Sequence, residues 1–414
     1  MMERMDRRGF MAAAGVGTLG MGIKGAWGDL VRTGGGEQVR EISLAETDER
    51  YDPWVEVRRG DIAWNVEQIR KLVRTRPIMG VIKANAYGHG VVEVGKLLES
   101  VGLRHLAVGK AVEAVLLREA GVKADILNFG PYGKDEAVEM VRHDVTQSVY
   151  GARIRFLVDA ARRLKKKAKV QIKVDTGLGR EGVRYEEAGA FIEQVARSGD
   201  FSVEGMFTAL TEDEEFDVEQ LRRFEEVTGE AVRQRARVGL RHAASSAGIL
   251  SLPRSYLDMV RPGIMLYGEY PSTKEYELRR VDLRPAMKVK ARVAQVKRLR
   301  AGDTVSYHRV FTAEKEMTVA TVPVGYSDGW PYQMGDKGEV IIRGRRCKML
   351  APVTANHMVV DVTGIEGAAA GDLALLLGSY GGQKIAAEEI AAWAGSSVYR
   401  VLVGMGSLLP RMYI

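Results

Sequence analysis

Short apolar runs alternate with stretches of helical spacing from Pro53 to about residue 280. Repeated strand–helix units of this kind predict a parallel sheet with right-handed crossovers. About eight such units in roughly 230 residues predict a closed (β/α)8 barrel of the TIM type, although periodicity alone also allows an open, doubly wound sheet. The predicted strands are Ile78–Ile82, His105–Val108, Asp125–Phe129, Asp144–Val149, Lys169–Asp175, Val203–Thr208, Leu240–Ala244 and Met259–Arg261, preceded by a strand at Trp54–Val57.

The pattern changes after Pro285, where strands separated by glycine-containing turns replace the alternation. This change predicts a mostly β domain over residues 284–414, which follows a barrel domain over residues 53–283. The fold class is therefore α/β, with a second domain of a different texture. The predicted strands of that domain are Met287–Arg298, Met317–Val324, Glu339–Arg343 and His357–Val362, with a lone helix at Ala386–Ala394.

The first 28 residues have a composition of their own. Arg7 and Arg8 precede a weakly apolar segment rich in glycine and alanine, and small residues follow before Asp29. This order is typical of an export signal of the twin-arginine type, and the apolar segment is too short for a comfortable membrane span. We therefore predict a signal over residues 1–28, a flexible lead-in over 29–52 and a periplasmic protein. A chance arginine pair in a frayed terminus is the alternative.

Composition narrows the function classes. The chain has 414 residues, of which 46% are hydrophobic and 28% charged, and a formal net charge of +7. This balance is ordinary for a globular protein, and the basic residues are scattered, so we do not expect nucleic acid as a partner. The single cysteine, Cys347, excludes an intrachain disulfide and a cysteine-cluster metal site, and we expect no metal.

The candidate chemistry begins in the stretch Val81–Gly90, which reads VIKANAYGHG. Lys83 comes at the carboxyl end of a predicted buried strand, just before a polar, glycine-containing turn. Burial removes hydration from an ammonium and lowers its pKa, which suits a lysine to Schiff-base chemistry. A lysine that extends from the strand end into solvent is the structural alternative.

This decapeptide resembles the lysine motif of the alanine racemase family, in which the lysine carries pyridoxal 5'-phosphate (PLP) and the following tyrosine, here Tyr87, helps to hold its phosphate. Matching motifs follow in the same order over nearly all of Pro53–Ile414. The resemblance implies PLP as the cofactor, racemisation of free amino acids, and a homodimer with shared active sites. In that family, the second domain of one subunit reaches the barrel mouth of the other.

Further motifs lie after the later predicted strands. The stretch Lys173–Arg180, KVDTGLGR, resembles the second family motif, in which the lysine can be carbamylated and orients the arginine near the cofactor. Arg261, in RPGIMLYG, takes the place of the arginine that faces the pyridine nitrogen and thereby limits transamination. Backbone N–H groups and a hydroxyl near this turn predict a phosphate site. The remaining predicted cofactor contacts are Ser246, Gly263, Ile264, His242 and Tyr413.

Racemisation by two bases needs a proton acceptor on each face of the reacting carbon, and one lysine cannot occupy both faces. Tyr307 in the second domain matches the catalytic tyrosine of the resemblance, and a nearby cationic cluster would lower the pKa of such a phenol. Tyr326 matches the tyrosine at the substrate entrance. We therefore predict Lys83 and Tyr307 as the catalytic pair, with Arg180 and Tyr326 as substrate contacts.

The chain also departs from the family pattern. Ala209 stands where a histidine usually contacts the cofactor ring, and Thr354, Ala355 and Asn356 stand where a Cys-Met-Asp triplet is typical. A smaller, less acidic wall enlarges the substrate pocket, which predicts the broad-specificity branch of the family. A strict alanine racemase, a PLP-dependent decarboxylase and a PLP-binding module without catalysis remain alternatives.

Overall fold

The computed structural model describes residues 52–234, 236, 238–406 and 408–414. The predicted export signal and the lead-in before Asp52 therefore lie outside the described residues. Parallel strands form one large sheet in the order in which they occur along the chain, so each new strand pairs with the one before it. These strands are Met79–Val81, His105–Val108, Asp125–Asn128, Thr146–Val149, Ala168–Asp175, Phe201–Phe207 and Leu240–His242, and the short strand Val183–Arg184 pairs with the end of Ala168–Asp175.

The sheet closes into a barrel through the segment around Val260. This segment forms a single parallel bridge with Ile78, and the backbone N–H of Met79 donates to the Val260 carbonyl at 2.8 Å. On its other side, the N–H of Arg261 donates to the Ala244 carbonyl at 2.9 Å. The predicted last strand thus joins both ends of the sheet. The prediction of a closed barrel is confirmed, and the open sheet is wrong.

Helices surround the barrel and bury their apolar faces against it. In Ile154–Leu164, for example, the buried residues recur at spacings of three and four, the pattern of a helix with one face on a core. The helices are Arg59–Val73, Val91–Ser100, Ala111–Glu119, Lys134–Arg142, Ile154–Leu164, Ala188–Arg197, Glu214–Arg233, Ser246–Ser251 and Thr273–Leu278, with 3-10 helices at Pro253–Tyr256 and Ile264–Tyr267.

The second domain is mostly β, as predicted. Its larger sheet has the strand order Arg345–Lys348, Glu339–Ile342, Leu373–Tyr380, Met287–Arg292, Trp54–Val57 and Arg411–Tyr413, and Gln383–Ile385 pairs with Leu373–Tyr380. A three-stranded sheet contains Gln295–Leu299, Met317–Val322 and Met358–Asp361, and a hairpin joins Thr304–Val305 to Phe311–Thr312. The helices are Ala387–Trp393 and Val398–Gly404, with 3-10 helices at Tyr307–Arg309, Tyr326–Asp328 and Tyr332–Met334.

Three features of this domain differ from the sequence predictions. Trp54–Val57, assigned by sequence to the barrel segment, pairs with Met287–Arg292 and Arg411–Tyr413, so both ends of the described chain enter one sheet. The single strand predicted over residues 287–298 is two strands, because the chain passes from one sheet to the other at Val293 and Ala294. A second helix, Val398–Gly404, follows the one that was predicted.

Candidate active site

A cavity of about 590 Å³ opens at the carboxyl ends of the barrel strands. The loops after the strands supply its walls, which is where parallel barrels collect functional side chains. Most of the predicted cofactor contacts line it. They are Lys83, Tyr87, Arg180, Ser246, Arg261, Gly263 and Ile264. The cavity is also lined by Lys173, the predicted carbamylation site, and by Glu181, Ala209, Glu212 and Tyr399.

Lys83 opens a left-handed helical turn. Ala84, Asn85, Ala86 and Tyr87 have φ values of 54°, 55°, 52° and 52°, a conformation that costs an L-residue roughly 1–2 kcal/mol. Four such residues in succession persist only where surrounding contacts hold them. The turn therefore needs specific hydrogen-bond partners, and the structure supplies two buried ones.

The first partner is Glu113, near the start of the helix Ala111–Glu119. Its Oε1 accepts from the Asn85 N–H at 2.8 Å, and its Oε2 accepts from the N–H groups of Gly109 at 2.9 Å and Lys110 at 3.1 Å. One buried carboxylate thus joins the turn after Lys83 to the loop that follows the neighbouring strand.

The second partner is His89, which is fully buried and stacks on Tyr267 with ring centroids 4.4 Å apart. Its Nδ1 lies 3.0 Å from the carbonyl oxygens of both Ala86 and Tyr87, so this nitrogen carries the proton and donates to both. Burial lowers the pKa of His89 to about 4, which keeps the ring neutral at ordinary pH.

The side chain of Lys83 is exposed to the cavity, and the surrounding walls of the barrel mouth remove part of its hydration. Burial lowers its pKa below the usual value, and the positive charges of Arg180, Lys173 and Arg261 lower it further, against a smaller opposing contribution from Glu113. A larger fraction of this amine is therefore neutral than in an exposed lysine. A neutral amine can act as a base or nucleophile.

Arg261 is buried and held from several sides. Its Nη1 donates to His242 Nδ1 at 2.7 Å, and its Nη2 donates to the carbonyl oxygens of Thr208 at 2.8 Å and Ala243 at 2.9 Å. The guanidinium also lies 5.4 Å from the centroid of the Phe207 ring, within cation–π range. Burial lowers the pKa of Arg261 to about 9, so the side chain remains mostly charged at neutral pH.

His242 does not line the cavity; it is fully buried behind Arg261. Its Nε2 lies 2.8 Å from Gln171 Oε1 and donates to it, which leaves Nδ1 free of a proton to accept from Arg261. Burial and the charge of Arg261 lower the pKa of His242 well below its usual value. His242 is thus a neutral ring that links Gln171 to Arg261 through two hydrogen bonds, and it does not line the cavity.

Tyr87, Ser246 and Gly263 meet at one end of the cavity. Ser246 Oγ accepts from the Gly263 N–H at 3.0 Å and from the Met265 N–H at 3.4 Å. A Cβ at Gly263 would lie 2.5 Å from the hydroxyl of Tyr87, so the close approach of the phenol requires glycine. The phenol and the hydroxyl are donors suited to a phosphate, and the backbone amides of this turn lie beside them.

The structure differs from the prediction that Tyr413 contacts the cofactor. Tyr413 does not line the cavity, and its hydroxyl donates to the His89 carbonyl at 3.0 Å. Tyr399, in the helix Val398–Gly404, lines the cavity instead, with its ring centroid 6.1 Å from that of Tyr87. The sequence prediction missed this helix and therefore missed the tyrosine it carries.

Lys173 points into the mouth from the strand Ala168–Asp175 and is almost fully buried. Its Nζ lies 3.0 Å from Glu181 Oε2, with side-chain exposures of 5% and 29%. Burial lowers the pKa of Lys173, while the hydrogen bond and charge of Glu181 act in the opposite direction. The predicted neighbour Arg180 lines the same wall.

The predicted residues of the second domain do not line this cavity within one chain. Tyr307 is 76% exposed and Tyr326 is 55% exposed. The Tyr326 N–H donates to the Thr354 carbonyl at 3.0 Å, and Asn356 Nδ2 donates to Ser327 Oγ at 2.7 Å. Tyr326 and the segment Thr354–Asn356 therefore form one surface, whereas Tyr307 lies in the separate loop of the 304–312 hairpin.

The barrel residues fit PLP. The lysine amine, the charged Arg261 and the hydroxyl and amide donors around Gly263 face one cavity, and a Cβ at Gly263 would close the approach to Tyr87. Sequence reasoning missed Glu113, Glu181 and Gln171. Glu113 does occupy the position of a capping glutamate near a helix start, but that pattern does not predict a bond to Asn85.

Comparison with known proteins places the chain in a family. The family model "Alanine racemase, N-terminal domain" matches residues 57–271, and the model "Alanine racemase, C-terminal domain" matches residues 286–413. The alanine racemase of Desulfovibrio desulfuricans is 38% identical over 87% of this chain and 98% of its own length. That of Desulforamulus reducens is 37% identical over the same shares of the two chains.

Solved structures agree with this placement. The alanine racemase of Clostridium difficile 630 superposes with a TM-score of 0.83 at 31% identity, covering 88% of this chain and 96% of the other. The matches extend over the barrel and the second domain alike. The chain belongs to the alanine racemase family, whose members are PLP-dependent isomerases of amino acids.

Proposed function

We propose that the protein interconverts the L and D forms of free amino acids, including side chains larger than that of alanine, with Lys83 and Tyr307 as the two bases. The observation that carries the proposal is the single cavity in which Lys83, Arg261 and the donors around Gly263 meet. When bound there, PLP supplies an electron-withdrawing ring that makes the α-hydrogen of an amino acid acidic.

Lys83 serves one face of the substrate. Its lowered pKa provides a neutral amine that can hold a proton taken from the α-carbon and return it. Arg180 and Lys173 keep the surroundings of this amine positive, which also favours the carboxylate of an amino acid in the mouth.

Arg261 presents a positive charge to the cavity in one fixed orientation. It is fixed by His242 and by the carbonyls of Thr208 and Ala243, so its guanidinium cannot turn away from the cavity. A charged arginine is a poor proton donor, because its pKa stays above neutrality even when burial lowers it to about 9. Arg261 would therefore face bound PLP without donating a proton to its ring nitrogen, which would confine the reaction to the α-carbon.

The second face requires Tyr307, which is exposed and absent from the cavity lining of its own chain. A homodimer in which the second domain of each chain covers the mouth of the other barrel supplies it. Exposed apolar and aromatic side chains on this domain support such an interface, because monomers seldom expose them in groups. They include Tyr307, Val310, Tyr326 and Tyr332.

The substrate range follows from the same interface. Thr354, Ala355 and Asn356 lie beside Tyr326 on the second domain and would line the partner's mouth in this arrangement. Small and uncharged side chains at these positions leave space for substrates longer than alanine. The relatives in the comparison carry the name alanine racemase, so strict specificity for alanine is the competing proposal.

The site of action in this proposal is the periplasm. Arg7-Arg8 and the following Gly/Ala-rich segment support export, and they lie outside the described residues. Among the helices that the structure describes, none is both long and apolar enough to cross a membrane. Cell fractionation with N-terminal sequencing tests this part, and an unprocessed protein found only in the cytoplasm would refute it.

Hydrogen exchange at the α-carbon tests the reaction. The full-length protein with added PLP is incubated in deuterium oxide with single L-amino acids, and deuterium content and chirality are measured. Exchange with alanine, basic and larger polar amino acids supports the proposal, and exchange with alanine alone makes the protein a strict alanine racemase. Bound PLP without any exchange would identify a binding module, the alternative that Ala209 keeps open.

A further inference from the structure

Arg411 holds two separate segments of the chain through backbone carbonyls. Its Nε donates to the Gly88 carbonyl at 2.7 Å, although the two residues are 323 positions apart in sequence. Its Nη1 donates to the Leu409 carbonyl at 2.8 Å, and its Nη2 donates to the carbonyls of Met405 at 3.3 Å and Gly406 at 3.2 Å. The guanidinium is planar and has five N–H donors in fixed directions, so one side chain can hold both segments in a single geometry.

The first segment is the turn that carries the candidate base. Gly88 ends the left-handed turn that begins at Lys83, and its N–H donates to the Ala84 carbonyl at 3.1 Å. A Cβ at Gly88 would collide with the carbonyl of Leu402, in the helix that also carries Tyr399, so this helix packs directly on the end of the turn. A displacement of the Gly88 carbonyl therefore affects both the backbone that positions the Lys83 amine and the helix that brings a tyrosine to the cavity.

The second segment leads to the predicted substrate entrance. The Gly406 N–H donates to the Asp328 carbonyl at 2.9 Å, and Asp328 ends the short 3-10 helix that begins at Tyr326. We call residues 325–330 the entrance segment. This segment is therefore bonded to the same stretch of backbone that Arg411 holds.

Arg411 and Gly406 lie outside the cavity lining. Arg411 can therefore act on the site only through the two segments that it holds. Hydrogen bonds from a charged donor are roughly twice as strong as those between neutral groups, which favours a joint displacement of the two segments over a separate one. In the proposed dimer, the entrance segment of one chain faces the barrel of the other, so the two ends of this connection lie at different active sites.

We propose that Arg411 is a positioning residue that couples cofactor binding in its own barrel to the placement of Tyr326 at the mouth of the partner's barrel. A cofactor in the cavity restrains Tyr87 and Tyr399, and with them the turn after Lys83 and the helix that packs on it. Arg411 transmits this restraint to the entrance segment. The inference rests on the proposed function for its dimer, but its first test needs neither turnover nor a shared site.

The first test is amide hydrogen exchange of the full-length protein with and without PLP. In the wild-type protein, PLP slows the exchange of residues 325–330 at least about fivefold, the lower end of the coupling that is usual between linked sites. Arg411→Lys keeps the positive charge but has a single side-chain nitrogen, which cannot reach both segments, so saturating PLP no longer slows this exchange. Arg400→Lys, at an exposed position of the helix Val398–Gly404, is the control and keeps the wild-type response.

Gly406→Ala tests the other end of the connection and decides the matter if Arg411→Lys does not fold. A Cβ there would lie 3.3 Å from the Asp328 carbonyl oxygen, so the entrance segment must shift by a few tenths of an ångström while the contacts of Gly88 are kept. The variant should bind PLP like the wild-type protein and lose the effect of PLP on residues 325–330. A PLP effect that persists in either folded variant, or that is absent from the wild-type protein, would overturn the proposal.

Mixed dimers test the same connection at the partner's site. A chain with Lys83→Ala and Arg411→Lys is mixed at saturating PLP with a Tyr307→Phe chain, so the only site with both bases combines the intact barrel of the second chain with the entrance segment of the first. The reference mixture has Lys83→Ala alone in the first chain. We expect KM for the amino acid to be about fivefold higher than in the reference, with kcat and bound PLP unchanged.

Equal KM values in the two mixtures would contradict the role of Arg411 at the partner's site, because a residue that only stabilises its own barrel does not change the partner's KM. A reference mixture without activity would instead refute the shared site of the proposed function. The exchange measurement would then still decide whether Arg411 couples the turn to the entrance segment.

Discussion

Glu113 Oε1 accepts a hydrogen bond of 2.8 Å from the backbone N–H of Asn85, across 28 residues of sequence. The same carboxylate accepts from the N–H groups of Gly109 and Lys110. It therefore couples the helix Ala111–Glu119 to the left-handed turn that follows Lys83. A side chain outside the cavity lining thus fixes the segment that carries the amine.

Replacing Glu113 tests this coupling. In Glu113→Gln an amide nitrogen faces at least one backbone N–H donor, and a buried donor without a partner costs about 1–3 kcal/mol. We expect the free energy of unfolding, measured in urea, to fall by this amount. We also expect a further fall in the pKa of Lys83, because Glu113 stabilises the charged form of that lysine. The control is Glu119→Gln, an exposed glutamate of the same helix. Unchanged stability in Glu113→Gln would show that the turn holds without the carboxylate.

Gln171 determines which nitrogen of His242 carries the proton, because its Oε1 accepts from Nε2. In Gln171→Glu, a carboxylate beside Nε2 raises the pKa of His242, and a protonated ring cannot accept from Arg261 Nη1. We expect activity to fall by about tenfold to a hundredfold, as with other residues that orient a functional group.

The ¹⁵N shifts of His242 distinguish this mechanism from simple misfolding. They report a neutral ring in the wild-type protein and a charged ring in Gln171→Glu. Gln295→Glu, on an exposed strand position, is the control and should change neither activity nor the ring. A neutral His242 in Gln171→Glu would contradict the proposal that residue 171 controls the charge of this ring.

The titration of Glu269 should make the stability of the folded protein depend on pH. It is buried, and burial raises its pKa well above the usual 4.5, with Glu388 raising it further and Lys384 opposing. The folded protein therefore holds this proton more tightly than the unfolded chain. The stabilising effect is complete below pH 4.5, the unfolded value, and is lost as the pH rises toward the raised pKa.

Glu269→Gln should remove this dependence. We expect the variant to melt a few degrees above the wild-type protein at pH 8 and to lose that advantage near pH 4. Differential scanning calorimetry across this range measures the difference. Glu277→Gln, an exposed neighbour, should melt like the wild-type protein at both values. A constant difference between Glu269→Gln and wild type at all pH values would argue against titration of Glu269.

Gly263 tests the phosphate end of the cavity. In Gly263→Ala, the new Cβ would lie 2.5 Å from the Tyr87 hydroxyl, so the phenol must move. Because a hydrogen bond to a charged group contributes about 1.5–3 kcal/mol, we expect PLP to bind at least about tenfold more weakly in a fluorescence titration, with the fold retained. Gly189→Ala is the matched control, because a Cβ there meets nothing within 4 Å and a helical alanine stabilises by roughly 0.5–1 kcal/mol. Equal PLP affinity in both variants would place the phosphate elsewhere.

Complementation tests whether Tyr307 works in the partner's cavity. Lys83→Ala and Tyr307→Phe should each be inactive, and Tyr307→Phe should keep the absorbance of bound PLP. Mixed dimers contain one site with both an intact lysine and an intact tyrosine, so mixing should restore roughly a quarter of wild-type activity. A mixture of Lys83→Ala with the double variant controls for residual turnover. No recovery after verified subunit exchange would mean that each chain completes its own site.

The sequence alone predicted which loops carry the chemistry. Lys83, Lys173 and Arg261 each follow a short apolar run, and the carboxyl ends of parallel strands meet at one edge of a barrel. Period and motif are local properties of the chain, so they can be read without coordinates. The high β-strand content of the second domain could be predicted for the same reason.

Tertiary structure decided the features that depend on residues distant in sequence. The Ile78–Val260 bridge closes the barrel, Trp54–Val57 joins the sheet of the second domain, and Tyr399 replaces Tyr413 at the cavity. No local pattern specifies these pairings, because an apolar strand or an aromatic ring can bury itself against many surfaces. The sequence by itself determined the elements and the identity of the reactive groups. Only the packing of those elements decided which polar groups share a buried space, and burial is what shifts their pKa values and makes each hydrogen bond between them consequential.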